Sequence, residues 1–105
     1  MTTEVLDVPA YDRYELRVGG DLAGYALYQR TDGVVSVLHT EVEPEYEGRG
    51  LGSVLARGVL DGIRAAGESV LPRCPFLRRY LQRHDGYADL VPAADRARFG
   101  LAAPA

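Results

Sequence analysis

Apolar and polar residues alternate over positions 13–18, where Tyr14, Leu16 and Val18 fall on one face and Arg13, Glu15 and Arg17 on the other. A period of two marks a half-buried strand. Gly19-Gly20-Asp21 follows as a hairpin signal. Residues 22–31 continue as a second strand, with Tyr25 and Leu27 opposite Ala26 and Tyr28. Asp32-Gly33 is a second, stronger hairpin signal. Residues 34–42 read as a third strand. Its start, Val34-Val35-Ser36-Val37-Leu38, is apolar on both faces, which predicts a central strand covered on both sides. Pro44 ends it, because proline has no N–H for a sheet ladder.

The period then lengthens. Over residues 49–66, Leu51, Val54, Leu55, Val59 and Ile63 form a stripe at helical spacing, and Arg57, Asp61 and Arg64 lie away from it. Gly58 and Gly62 sit beside this stripe and each costs roughly 1 kcal/mol against Ala, so close packing on a sheet is the expected compensation. Gly67 stops the helix. Residues 69–71 are a short strand closed by Pro72. Phe76, Leu77, Tyr80, Leu81 and His84 mark a second helix, with Arg78, Arg79, Gln82 and Arg83 solvated and His84 as its C-terminal cap. Asp85-Gly86 ends it, and residues 87–91 read as a last extended segment. Residues 1–10 carry Val5, Leu6 and Val8 without a sustained period and read as a loosely attached lead-in. Residues 101–105 read as a frayed Ala/Pro end. The predicted fold class is α/β of the α+β type: a mixed, mainly antiparallel sheet with helices packed on it. The strand–helix–strand unit supplies one parallel pairing by a right-handed connection. The expected organisation is a single domain, with a core from about residue 11 to 91 and a tail from 92.

Bulk properties narrow this picture only slightly. The chain has 105 residues, 47% hydrophobic and 26% charged, which fits a globular domain and not a disordered segment. A net charge of −3 argues against a nucleic-acid partner. No apolar run reaches bilayer length, and the first residues lack a signal peptide's basic and apolar regions. The lone Cys74 cannot form an internal disulfide. Together these features point to a cytoplasmic chain with no membrane contact, and no residue spacing suggests a metal site.

Chemistry concentrates at Glu47-Gly48-Arg49-Gly50-Leu51-Gly52, between a strand end and a helix start. Glycines there let backbone approach a ligand without Cβ obstruction. A helix start offers unpaired N–H groups and a positive dipole end to an anion. The spacing matches neither a P-loop nor a dinucleotide fingerprint. A plain glycine-rich turn without a ligand is the alternative.

The flanks of this turn carry a resemblance. Residues 42–55 resemble the acetyl-CoA signature of the GNAT superfamily of N-acetyltransferases, Gln/Arg-x-x-Gly-x-Gly/Ala, which falls here on Glu47, Gly50 and Gly52. Glu47 stands where the superfamily has Gln or Arg, which removes one side-chain donor. His39-Thr40-Glu41-Val42, Cys74-Pro75-Phe76, Tyr80-Leu81 and residues 84–91 extend the likeness over residues 14–91, to the small GNAT-like family with a Cys after the penultimate strand. The resemblance implies a GNAT fold without the two helices that usually follow the first strand, and therefore an open acceptor side. It implies acetyl-CoA as cosubstrate, bound by Val42, Glu47, Gly48, Arg49, Gly50, Leu51, Gly52 and Ser53, with Arg78 and Arg79 at its phosphates. An amine, on a protein or peptide among other forms, is the implied acceptor.

Four residues are candidates for the chemistry. His39 and Glu41 share one face of the third strand, and either is a candidate base for the amine; a polar pair at a strand end is the plainer reading. Cys74, before a helix and near Arg73, Arg78 and Arg79, has the setting of an activated thiol. A small buried hydrophobe, as most free cysteines are, is the plainer reading. The resemblance casts Tyr80 as the acid for the departing thiolate, while its periodicity places it in the core. Backbone N–H groups near Val42 are positioned to polarise the thioester carbonyl. Arg78, Arg79 and Arg83 form a basic face that suits either the adenosine 3′-phosphate or plain solvation. Two functions compete: an N-acetyltransferase, and a non-catalytic acyl-CoA-binding module.

Overall fold

The computed structural model describes residues 2–101. Five strands form one sheet in the order β1-β2-β3-β4-β5: β1 (Thr3–Val8), β2 (Arg13–Val18), β3 (Asp21–Thr31), β4 (Val34–Val42) and β5 (Ser69–Pro72). The first four pair antiparallel, and β4 pairs β5 parallel. Both expected hairpins form. Gly19 and Gly20 have φ of 57° and 89°, and Asp32 and Gly33 have 51° and 76°, which is the positive-φ pair that a tight two-residue hairpin needs.

α1 (Leu51–Ala65) connects β4 to β5, and α2 (Pro75–Arg83) follows β5. The predicted stripe is buried, with Ala56 and Leu60 added and Val54 only half-buried. It lies on Tyr14, Leu16, Ala26, Tyr28, Val35, Val37 and Val70 of the sheet. No helix among the described residues is long and apolar enough to cross a membrane.

Four expectations are corrected. The lead-in is a strand: β1 pairs with β2 from Thr3↔Val18 to Val8↔Arg13. Only Val5 of its apolar residues packs against the core, while Leu6 stays 42% exposed, so the sequence shows no alternation to detect. The chain side of β1 is fixed from elsewhere: Asp7 accepts from the Tyr28 hydroxyl at 2.6 Å and from Arg30 at 2.9 Å, and Arg30 also holds Glu68 at 2.8 Å.

Second, β4 is buried on one face only. Val35 and Val37 are fully buried, but Val34 and Ser36 are half-buried and Leu38 is 40% exposed. Among the described residues no helix covers the opposite face. Glu15, on that face, is buried beneath Arg13 and Arg17, whose guanidinium groups lie 2.6 and 2.7 Å from its carboxylate. Hydrogen bonds from Arg17 and then Arg13 hold its carboxyl below the usual range.

Third, the expected last extended segment is a 3₁₀ helix, Asp85–Leu90. Tyr87 donates to Asp61 at 2.7 Å and Asp89 pairs with Arg64 at 2.8 Å, so two contacts from α1 coil it down. Fourth, residues 92–101 are no tail: Phe99 and Leu101 are 5% and 8% exposed and close the core beside α2. The remainder of the expected frayed end, residues 102–105, lies outside the described residues. The helices that the resemblance removes are indeed missing between β1 and β2, where only the 3₁₀ turn Pro9–Tyr11 stands.

Candidate functional site

The site begins where β4 outruns its neighbour. β5 pairs with β4 only from Val34↔Ser69 to Val37↔Pro72. One last tie follows, from the Cys74 amide to the Val37 carbonyl at 2.9 Å. Beyond it the chain turns into α2 at Pro75, and among the described residues no strand pairs with residues 38–42 of β4 on that side. A bulge falls at the same point, since Tyr28 faces Val37 and Leu27 faces His39, leaving Leu38 without a partner. Bulges bend and twist a strand locally. The split opens into a cleft of about 160 Å³ lined by Thr40, Glu41, Val42, Gly52, Leu55 and Phe76.

The last glycine of the turn, Gly52, lines the cleft. Gly50 is the N-cap of α1 in a left-handed conformation, φ 71°, after Gly48 at φ 81°. A side chain in this region is strained, and glycine is not. No side chain caps α1 and no acidic residue stands in its first turn. The first N–H groups of the helix and its positive dipole end are therefore directed at whatever binds there. Gly52 serves a different purpose: a Cβ there would meet the Phe76 ring at 3.0 Å, so its absence lets α1 and the start of α2 approach. Glu47 and Arg49 are exposed beside the turn, with Arg49 stacked 5.4 Å over Tyr46, and Leu51 is buried.

The catalytic candidates separate onto two sides of β4. Thr40 pairs with the buried Ala26, and its hydroxyl lies 3.3 Å from the Cys74 sulfur on the helix side. Burial pushes the Cys74 thiol up, but hydrogen bonds from the Thr40 hydroxyl and from the amides of Leu77, Phe76 and Thr40 outweigh it, leaving the thiol below its ordinary value. His39 and Glu41, one residue to either side of Thr40, face the open sheet face instead. Their side chains are 54% and 52% exposed and stand 3.9 Å apart. Tyr25 donates to Glu41 at 2.6 Å, and this bond is the main reason its own hydroxyl is held above the ordinary value. The sequence alone gave Thr40 and Tyr25 no role: the register set by the Asp32-Gly33 hairpin would put Tyr25 opposite Thr40, and the bulge at Leu38 moves it to Glu41.

The α2 candidates divide too. Tyr80 is buried, stacked on His84 with ring centroids 3.9 Å apart, and His84 Nδ1 lies 2.8 Å from the Tyr80 carbonyl, as a C-terminal cap would. Tyr80 lines a second cavity, not the cleft that holds Thr40 and Val42. Arg79 lines that cavity as well. Arg78 turns the other way: its guanidinium lies 5.6 Å over Phe99 and donates to the Arg73 carbonyl at 3.4 Å.

Comparison with known proteins bears on this geometry. No curated protein matches the sequence. Among solved structures, a GCN5-like protein from Staphylococcus aureus aligns with a TM-score of 0.62 at 21% identity, over 85% of this chain and 87% of that one. The ribosomal-protein-S18-alanine N-acetyltransferase from Escherichia coli aligns with a TM-score of 0.52 at 23% identity, over 61% of this chain. This chain spans only 42% of that enzyme's length. At such identities the likeness is one of fold. The sequence pattern described as GCN5-related N-acetyl-transferase matches residues 13–90, which takes in every strand but β1, both helices and the whole glycine turn. The chain belongs to the GCN5-related N-acetyltransferase family.

Proposed function

We propose that this chain binds acetyl-CoA and transfers its acetyl group to an amine. The observation that carries this reading is one junction: β4 loses its partner at Val37 where an uncapped helix start, free of acidic residues, faces the same opening. The donor set fits the cosubstrate. Backbone N–H groups from Gly48 to Ser53 suit a pyrophosphate, and the unpaired β4 edge at Thr40–Val42 suits the amides of a pantetheine arm. Acetyl-CoA supplies an activated thioester. The chain's own groups position the reactants, which can supply about 7–11 kcal/mol of a barrier. His39 or Glu41 takes the amine's proton on the open face, and the Val42 region offers N–H groups to the carbonyl oxygen. The nitrogen gains the acetyl carbon as the carbon–sulfur bond breaks, and the sulfur leaves as thiolate to be protonated. Direct transfer is the preferred route over an acetyl-Cys74 intermediate, because the thiol and the two base candidates stand on opposite sides of β4.

A non-catalytic acyl-CoA-binding module is the second reading, favoured by the uncovered face on which His39 and Glu41 stand. Calorimetry and an amine panel separate the two. Acetyl-CoA at about 100 Kd is expected to stabilise the fold by roughly 2.7 kcal/mol and raise Tm. Turnover is expected to fall ~10²–10⁴-fold in Glu41→Gln or His39→Ala, whichever is the base. Absence of a Tm shift at millimolar acetyl-CoA overturns the reading, and tight binding with no turnover of any amine establishes the module. All 12 basic residues are arginine, so an acetyl mass on the intact chain has no lysine to occupy. Loss of that mass in Cys74→Ser would identify a covalent route.

A further inference from the structure

His39 and Glu41 are alike in exposure and share one face of β4, but their partners differ. With the bulge at Leu38, the open face of the sheet carries two adjoining rows. Glu15, Tyr25 and Glu41 stand opposite one another across β2, β3 and β4, and Arg13, Leu27 and His39 do so in the next row. The Tyr25 hydroxyl donates to Glu41 Oε2 at 2.6 Å. The other oxygen, Oε1, lies 3.9 Å from Nε2 of His39. The Tyr25 ring stands 6.3 Å from the His39 ring, tilted at 54°. Its own place is set from β2, where the Arg13 guanidinium lies 5.4 Å over it. Arg13 is fixed in turn by the buried Glu15 at 2.6 Å. Glu41 also lines the cleft at the β4 split, so its row ends at the cleft's rim. Glu41 thus has one oxygen occupied by a phenol and the other turned to an imidazole. A carboxylate facing Nε2 favours the tautomer that carries its proton there, which leaves the lone pair on Nδ1. It also stabilises the imidazolium that forms when this lone pair takes a proton, the part a carboxylate plays behind a catalytic imidazole.

We infer that His39 is the base for the amine and that Tyr25 is a positioning residue, which acts by fixing Glu41 behind the imidazole. This rests on the proposed acetyl transfer and assigns the roles within it. The ammonium form of the acceptor gives one proton to His39 Nδ1; one N–H bond breaks, one forms, and the ring becomes imidazolium. The neutral amine is then the nucleophile. The second proton that its nitrogen sheds on acylation balances the departing thiolate. The imidazolium, on a side chain 54% exposed, returns its proton to water.

Steady-state kinetics on the full chain use acetyl-CoA with whichever of n-butylamine, spermidine or a lysine peptide wild type turns over fastest. Tyr25→Phe and Glu41→Gln are each expected to lower kcat by ~10–100-fold, the range of a hydrogen bond to a charged group. Tyr25→Phe leaves KM for acetyl-CoA unchanged. The double variant is expected to lose no more than the worse of the two, because both act through one imidazole. His39→Ala falls by ~10²–10⁴-fold. Added imidazole restores part of that turnover, and none of what Glu41→Gln loses. Tyr87→Phe deletes a phenol–carboxylate bond of the same kind, to Asp61, and keeps the wild-type kcat. A wild-type kcat in Tyr25→Phe, losses that multiply in the double variant, or rescue of Glu41→Gln by imidazole overturns the inference and leaves acetyl transfer standing. Turnover of none of the three amines by wild type overturns acetyl transfer and the base together.

Discussion

The Cys74 thiol shows how a residue's chemistry depends on partners far along the chain. It stands before a helix whose first amides favour a thiolate, but burial works against the charge, and the balance is tipped first by the Thr40 hydroxyl. Removing that hydroxyl without changing shape leaves burial less opposed. Thr40→Val is therefore expected to raise the pH at which the thiolate forms, and Thr40→Ser to restore it. Thiolate ultraviolet absorbance across a pH series reads this cleanly, because Cys74 is the chain's one thiol. An unchanged midpoint in Thr40→Val would show that the helix amides alone set the thiol's state. Cys74 was visible in the sequence because its type is unique and its neighbours are arginines. Thr40 was not, because its contact spans 34 residues and arises only when β4 meets the start of α2.

At the scale of elements, α1 was legible from end to end and β1 was not. A helix on a sheet repeats its apolar residues at every turn, whereas an edge strand that packs one side chain leaves no period to read. The two nonetheless depend on one another at Gly58. A Cβ at Gly58 would collide with the Val5 side chain, so the glycine inside the helix is what allows β1 to lie against it. Gly58→Ala gains about 1 kcal/mol in helix propensity and incurs about 1–3 kcal/mol of overpacking, for a net loss. Val5→Ala alone removes packing and is also destabilising. Combined, the two are expected to cost less than their sum, since the new methyl occupies the space the valine leaves. Denaturant unfolding of the four proteins measures the coupling, and strict additivity would place β1 away from Gly58.

At the scale of the molecule, the helices and the C-terminal segment all serve one face of the sheet, and the other is left open. Residues 92–101 complete the covered side, with Phe99 set under Arg78 and Arg98 at 5.6 and 4.8 Å. A tail would tolerate Phe99→Ala within about 0.5 kcal/mol. A core residue loses about 3–5 kcal/mol in the same substitution. Thermal and denaturant unfolding distinguish these values, and the larger loss is expected. The open face bears His39, Glu41 and Tyr25, and in the proposed reaction the amine approaches from that side.

Local rules determined a large share of this protein. Hairpin positions follow from Gly19-Gly20 and Asp32-Gly33, α1 from its stripe, and the uncapped turn before it from its glycines, because each is set by φ or by period within a few residues. The resemblance in residues 42–55 and around Cys74 carried the family. Tertiary structure alone decided the rest: that residues 3–8 become a strand, that residues 92–101 join the core, and that Arg78 and Arg79 part company on one helix. It also decided that Cys74 and the His39–Glu41 pair stand on opposite sides of β4. These outcomes turn on which surfaces meet at long range, and a pattern read along the chain holds no record of its partner across the fold.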